Sequence, residues 1–182
     1  MTTKTGTPFI MRLIGAVALD PLTYEEVEAD KSATGQAALV VVLSSLAAGV
    51  GARGLGGGSL QSAVFIAAIS LILWAAWALV TFEIGSRLMP SPETRGDVDE
   101  LLRTIGFAAA PGMLRVFGIV PAASLAAFVI TSIWMLCAMV VAVRQALDYT
   151  STARAIAVCV IGWTLALAIA VGLGLVFGPS VS

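Results

Sequence analysis

The sequence predicts an all-α fold: a polytopic integral membrane bundle of five transmembrane helices, preceded by an amphipathic N-terminal helix at the membrane interface. Three observations predict it. Of the 182 residues, 59% are apolar and only 12% charged, against about 25% charged in a typical soluble domain. The charge-poor runs suffice for several crossings, since a hydrocarbon core of about 30 Å takes about 20 mostly apolar residues per helix. The polar stretches between them are short and show no internal repeat, so one membrane domain fills the chain.

Residues 1–32 read as a cytoplasmic, interfacial segment. Phe9, Ile10, Leu13, Ile14 and Val17 fall at the spacing of an amphipathic helix, which puts Arg12 at the headgroups. Ala16-Val17-Ala18 has the outline of a signal-peptide cleavage site, but Arg12 leaves too short an apolar run before it. Asp20-Pro21 ends this helix, and Thr23-Tyr24-Glu25-Glu26 has capping-box spacing for a second one. Glu25, Glu26, Glu28 and Asp30 keep that second helix in water.

Residues 33–178 then hold the spans, at about 33–52, 60–84, 104–120, 121–143 and 153–177. Between the first two, residues 53–59 are glycine-rich and form a flexible turn. Between the second and third, residues 85–103 are polar, with Asp97, Asp99, Glu100 and Arg103 on a short helix.

The third span is the unusual one, because Gly106, Pro111, Gly112 and Arg115 interrupt it. Cytoplasmic segments are enriched in Lys and Arg, and this decides between a full crossing and a re-entrant hairpin. With five spans, Lys4, Arg12, Lys31, Arg87, Arg95, Arg103, Arg144 and Arg154 share the cytoplasmic side, and Arg53 and Arg115 the other. A hairpin would move Arg144 and Arg154 out and Arg115 in, a weaker asymmetry. The expected form is a helix kinked at Pro111, with a cytoplasmic amino terminus, an external carboxyl terminus and Arg115 snorkelling to the far edge.

Several chemistries are excluded or demoted. A net charge of −1 argues against a nucleic-acid partner. Histidine is absent, which removes His-based zinc sites and Ser-His triads. Cys137 and Cys159 follow no metal or redox spacing and read as packing residues. Residues 49–54 match G-x-G-x-x-G, yet they follow a membrane helix rather than a strand, so a helix end and turn is the better reading. No catalytic, metal or cofactor constellation remains.

Two patterns do remain. Glu83 with Arg87 and Arg144 with Asp148 are spaced i, i+4 at the cytoplasmic ends of spans two and four. They either stay as solvated local pairs, cross-pair to clamp the two helices, or line a polar path. Ser45 with Gly49, Ala122 with Ala126, Ala123 with Ala127, and Gly174 with Gly178 repeat small residues at the four-residue spacing that lets helices approach closely. Trp74, Trp77, Trp134 and Trp163 sit inside spans rather than at their ends and read as packing residues.

An acidic, amphipathic amino-terminal region, five spans, Gly106-Phe107-Ala108-Ala109-Ala110-Pro111 opening the third span, and the stretch from Ile133-Trp134 to Ala155 together resemble the Yip-domain family, the Ypt/Rab-interacting membrane proteins. The resemblance covers roughly residues 19–177 and makes Gly106, Phe107 and Pro111 the family-motif residues. It implies five spans and, in eukaryotic members, a Golgi or endoplasmic-reticulum protein whose cytosolic amino terminus engages small GTPases. The eukaryotic motif Asp-Leu-Tyr-Gly-Pro and the long amino-terminal region are missing. The resemblance is therefore to a bacterial-type member of the cytoplasmic membrane, without an expected small GTPase partner. The implied role is a non-enzymatic organiser or accessory subunit whose partners are the bilayer and other membrane proteins or a second copy. The alternative is a small transporter or channel using Glu83, Arg87, Arg144 and Asp148.

Overall fold

The computed structural model describes residues 7–56, 59–90 and 97–177, and among them every regular element is helical. The amino-terminal pair comprises α1 (Phe9–Val17) and α2 (Pro21–Ala29), and the hairpin that follows is α3 (Thr34–Gly56) with α4 (Leu60–Glu83). After them come α5 (Val98–Ala108), a 3-10 segment (Ala110–Ile119), α6 (Pro121–Ala146) and α7 (Thr152–Phe177). Among the described residues, three stretches are long and apolar enough to cross a membrane: Lys31–Gly54, Leu60–Leu88 and Pro121–Ala146. α7 has a comparable 26 residues, about 39 Å at helical rise.

The amphipathic α1 forms, but its inward face is not the expected one. Arg12 is 2% exposed; its Nη2 donates to Glu26 at 2.9 Å and Asp30 at 2.6 Å, and its Nη1 to Gln36 at 3.1 Å. The carboxylates of α2 give the guanidinium better partners than headgroup water, so Arg12 turns inward together with Phe9 and Leu13. Ile10, Met11 and Ile14 are left facing out, and this second apolar face is the one available to a bilayer interface. α2 also begins earlier than its capping-box spacing indicates. Asp20 is its N-cap, accepting from Leu22 N–H at 3.2 Å, with Pro21 in the first turn, so Asp20-Pro21 starts the second helix as well as closing the first.

α3 is the central helix: half of its apolar window is buried, against 22% for that of α4 and 28% for that of α6. It does not stop at residue 52. Helix continues through Gly56, because Gly49, Gly51 and Gly54 present bare backbone to neighbours rather than forming a turn. A Cβ on Gly49 would strike the Ala63 carbonyl of α4, and one on Gly51 or Gly54 the carbonyls of Arg115 or Gly118.

The region expected as one kinked helix over 104–120 is divided differently. The polar residues Asp99, Glu100 and Arg103 belong to the same helix as Gly106 and Phe107, started by Asp97 N–H donating to Glu100 at 3.2 Å. α-Helical bonding stops at Ala108. Pro111 has no N–H to return to Phe107, so the chain tightens into 3-10 geometry, with Ala109 N–H on Gly106 and Gly112 N–H on Ala109. At 2.0 Å per residue, ten such residues reach about 20 Å, where an α-helix would reach about 15 Å.

This segment runs parallel to α3. Gly106 lies against Ala37, Gly112 against Ser44, Arg115 against Gly51, and Gly118 against Gly51 and Gly54. The pairing therefore advances together along about 26 Å of α3. A hairpin would bring residues 115–118 back towards Ala37, and they are instead at the opposite end. α6 returns antiparallel to the segment, with Thr131 and Ser132 facing Arg115 and Met135 facing Gly112. α7 packs antiparallel to α4, Gly162 against Thr81 and Trp77, and Gly85 against Val158.

The best-packed core gathers at the α1–α2 end, where Tyr24, Phe107, Leu101, Ile105, Val143 and Leu147 are fully buried. Away from it the long helices expose Phe65, Ile72, Leu125 and Ile133, a surface suited to lipid and unsuited to water.

Candidate functional site: an acidic cleft at the α1–α2 end

Polar groups from separate parts of the chain converge at one end of the bundle. Glu25 and Glu28 of α2, Glu100 of α5, Arg144 and Gln145 of α6, and the α6–α7 connection Asp148-Tyr149-Thr150 line an open cleft of about 630 Å³. α2 projects its acidic face here because its other face, Tyr24 and Val27, is fully buried, with the Tyr24 hydroxyl donating to the Ala16 carbonyl at 3.0 Å. Glu100 enters from the first turn of α5, where a carboxylate also suits the helix dipole.

Asp148 reaches the rim through an unusual backbone. α6 ends at Ala146, and Asp148 takes a left-handed conformation with φ 51°, which Asp tolerates better than most residues. That turn ends helical geometry between Arg144 and Asp148. The expected i, i+4 pair consequently does not form: the Arg144 Nε donates to the Tyr149 carbonyl at 3.3 Å.

Tyr149 fastens the floor. Its hydroxyl lies 2.7 Å from the Gly85 carbonyl and 2.9 Å from that of Met89, tying the α6–α7 turn to a π turn (Ile84–Leu88) that extends α4. Arg154 sits 5.8 Å over its ring and donates to the Pro90 carbonyl at 2.9 Å. Behind the cleft the buried Arg103 donates to the Glu28 carbonyl at 2.6 Å. Gln145 donates to Glu25 at 2.8 Å and holds α2 to α6 across the cleft.

Four carboxylates face one arginine in this space. Burial, aided by the charges of Asp148, Glu100 and Glu25, pushes the Glu28 carboxyl up to about 7, with Arg103 opposing the rise. Nearby, burial also pushes Glu26 up, but hydrogen bonds from Thr7 and Arg12 outweigh it and hold that carboxyl below its usual range. Bonds from Ser32 and then Arg12 hold Asp30 down to about 2.

Of the four residues expected to form one polar network, Arg144 and Asp148 line this cleft, whereas Glu83 and Arg87 do not. The latter two pair with each other at 3.1 Å on the exposed side of the π turn. The four neither cross-pair nor line one path among the described residues. Among the described residues no group of Asp, Glu or Cys is arranged to hold a metal ion.

The motif residues do structural work. Gly106 allows contact with Ala37, where a Cβ would lie 2.8 Å from the Ala37 methyl; Phe107 is fully buried and meets Phe9 edge-on at 6.2 Å; Pro111 marks the switch to 3-10 geometry. Ser45 is buried and Gly49 sits against α4. Ala122 and Ala126 instead face outward, as does Cys137, because Ser124 and Thr131 take the inward face of α6. Gly174 is on α7, and Gly178 lies outside the described residues. Trp134 fastens α6 to α1, donating to the Val17 carbonyl at 2.8 Å.

Sequence reasoning missed Tyr149, Arg103 and the gathering of Glu25, Glu28 and Glu100. One signal was present: the chain has two tyrosines, each in a polar stretch next to a span, and both are buried tethers to a carbonyl.

A family model described as the Yip1 domain matches residues 15–173. No curated protein matches the chain, and no solved structure does.

Proposed function

Because the chain belongs to the Yip1 domain family, whose model covers most of its length, we propose that this membrane protein is a non-enzymatic organiser or accessory subunit of a membrane complex. The observation that carries this reading is the acidic cleft: four carboxylates drawn from α2, α5 and the α6–α7 turn, gathered around the single lining arginine Arg144. Such a surface suits a basic segment of a partner and steers its approach.

The proposal includes five crossings in a bacterial cytoplasmic membrane, with the amino terminus inside and the carboxyl terminus outside. The advance of α5 and the 3-10 segment beside α3, from Ala37 to Gly54, supports the third crossing. Arg12, Lys31, Arg87, Arg103, Arg144 and Arg154 lie at the cleft end or its connections, and Arg53 and Arg115 at the other, which supports a cytoplasmic cleft.

The test is affinity isolation of the full chain from membranes in mild detergent. A stoichiometric partner is expected, weakened by about tenfold or more in a Glu25→Gln/Asp148→Asn double variant and by raised salt. Turnover or flux by the purified, partner-free protein would sink the reading, as would a partner indifferent to both changes.

A further inference from the structure

A second cavity lies within the apolar belt, separate from the acidic cleft. It is a groove of about 400 Å³ between α4, α6 and α7, walled by Trp74, Trp77, Leu136, Met139 and Trp163, with Arg115 and Ser132 beside them. Its volume falls in the range of pockets that hold small molecules, about 300–1,000 Å³. Ile133 and Trp163 on its rim are well exposed, so the groove opens sideways, towards lipid.

Its polar content is one-sided. Arg115 lies level with Gly51, about 8 Å from the end of α3. Its partners are the Ser132 hydroxyl at 3.0 Å, the Thr131 hydroxyl at 3.4 Å and the Phe128 ring at 5.4 Å; among the described residues no carboxylate pairs with it. The indole N–H groups of Trp74 and Trp77 are sealed within the bundle, that of Trp77 beside Gly162 of α7, so both residues line the groove as apolar wall. One cation without a carboxylate partner, at the edge of an otherwise apolar groove, calls for a ligand that brings negative charge and hydrocarbon together.

We propose that this groove binds one glycerophospholipid from the bilayer, held by its phosphate. The phosphate takes the Arg115 guanidinium and the Ser132 hydroxyl, a geometry arginine forms well with phosphate oxygens. Trp74 and Trp77, i, i+3 on α4 and deeper than Ser70, add apolar wall for the hydrocarbon below the phosphate. An acyl chain then covers Leu136 and Met139. A free anion satisfies the arginine but leaves the apolar wall bare, and an uncharged diacylglycerol leaves the arginine unpaired. The proposal rests on the membrane setting and is independent of the partner assigned to the acidic cleft.

The test uses the full chain, stripped of lipid in detergent and titrated with phosphatidylglycerol, bound lipid being counted by native mass spectrometry. One saturable lipid per chain is expected, weakened about tenfold or more by Arg115→Gln. Arg115→Lys keeps the charge without the guanidinium fork and should bind between wild type and Arg115→Gln, which separates a lost site from a misfolded chain. Equal lipid counts in wild type and Arg115→Gln would reduce the groove to ordinary annular contact and overturn the proposal. Equal binding of diacylglycerol, or displacement of the lipid by inorganic phosphate, would overturn it as well.

Discussion

Replacing Gly51 or Gly54 by alanine should destabilise the protein, although Gly→Ala inside a helix ordinarily stabilises by about 1 kcal/mol. At Gly51 the new methyl would overlap the Arg115 carbonyl and lie 3.0 Å from its carbon; at Gly54 it would overlap the Gly118 carbonyl and lie 3.0 Å from the carbonyl carbons of Gly118 and Ile119. These are backbone atoms, so no side chain can rotate away, and the 3-10 segment must lift from α3. Overpacking of this kind costs about 1–3 kcal/mol. Against the propensity gain the net loss is up to about 2 kcal/mol per site. Both methyls press on one segment, so the double variant should lose less than the sum.

Gly35 is the internal control. It lies on the same helix with nothing within 4 Å of the added Cβ, so Gly35→Ala should gain up to about 1 kcal/mol. The assay is thermal denaturation of the purified protein in detergent, followed by the fraction that remains monodisperse. At about 2–4 °C per kcal/mol for a chain of this size, Gly51→Ala and Gly54→Ala should melt lower by up to about 8 °C and Gly35→Ala slightly higher. If all three variants melt at or above wild type, the 3-10 segment does not lie along α3, and the argument for a third crossing fails with it.

Arg12→Gln should release α1 from α2, because Glu26 and Asp30 lose their shared cation; rapid proteinase K cleavage before residue 20 in the variant, with wild type resistant, would show it. The same contact has a pH signature. Asp30 sits at about 2 and Glu26 below its usual value, so the stabilisation is complete above the ordinary carboxylate range and is lost as pH falls through it towards about 2. Glu28 has the opposite sign. Its carboxyl, near 7 in the fold against 4.5 for an ordinary Glu, binds a proton that the unfolded chain releases, so its contribution declines as pH rises from 4.5 through 7. A full shift of that size corresponds to about 3 kcal/mol, and partial exposure reduces it to about 1–2 kcal/mol. Glu28→Gln should therefore raise the melting temperature at about pH 8 and leave it nearly unchanged at about pH 5; a uniform shift at both would count against the assigned carboxyl.

The long apolar runs made the helices of the bundle legible, because a stretch such as Leu60–Glu83 has no other way to satisfy its backbone in lipid. The amphipathic stripe of α1 was legible too, but not its direction. Arg12 reads as an outward residue until the carboxylates of α2 are placed beside it, and their distance depends on a turn at Leu19 with φ 61° that periodicity does not encode. Pro111 announced a break, whereas the ten-residue 3-10 stretch after it depends on the flat glycine face of α3. Such stretches are uncommon beyond three or four residues, and only tertiary packing selects one. The acidic cleft was least legible, since Glu25, Glu28, Glu100 and Asp148 come from three separate parts of the chain. Residue spacing pointed instead to local pairs: Glu83 with Arg87 forms, and Arg144 with Asp148 is undone by the left-handed turn between them.

The two ends of the bundle are built on different principles, and this bears on where the proposed partner would act. At the α1–α2 end, side chains hold the elements together: Arg12 on Glu26 and Asp30, Arg103 on the Glu28 carbonyl, Tyr149 on Gly85 and Met89, Trp134 on Val17. At the far end backbone meets backbone, Gly51 and Gly54 against Arg115 and Gly118. Polar locks can be altered by pH, salt or a competing charge, whereas glycine contacts respond only to displacement of a whole helix. A partner that inserts a cation among Glu25, Glu28, Glu100 and Asp148 therefore acts where the fold is adjustable. The far end supplies the fixed frame against which that adjustment is made.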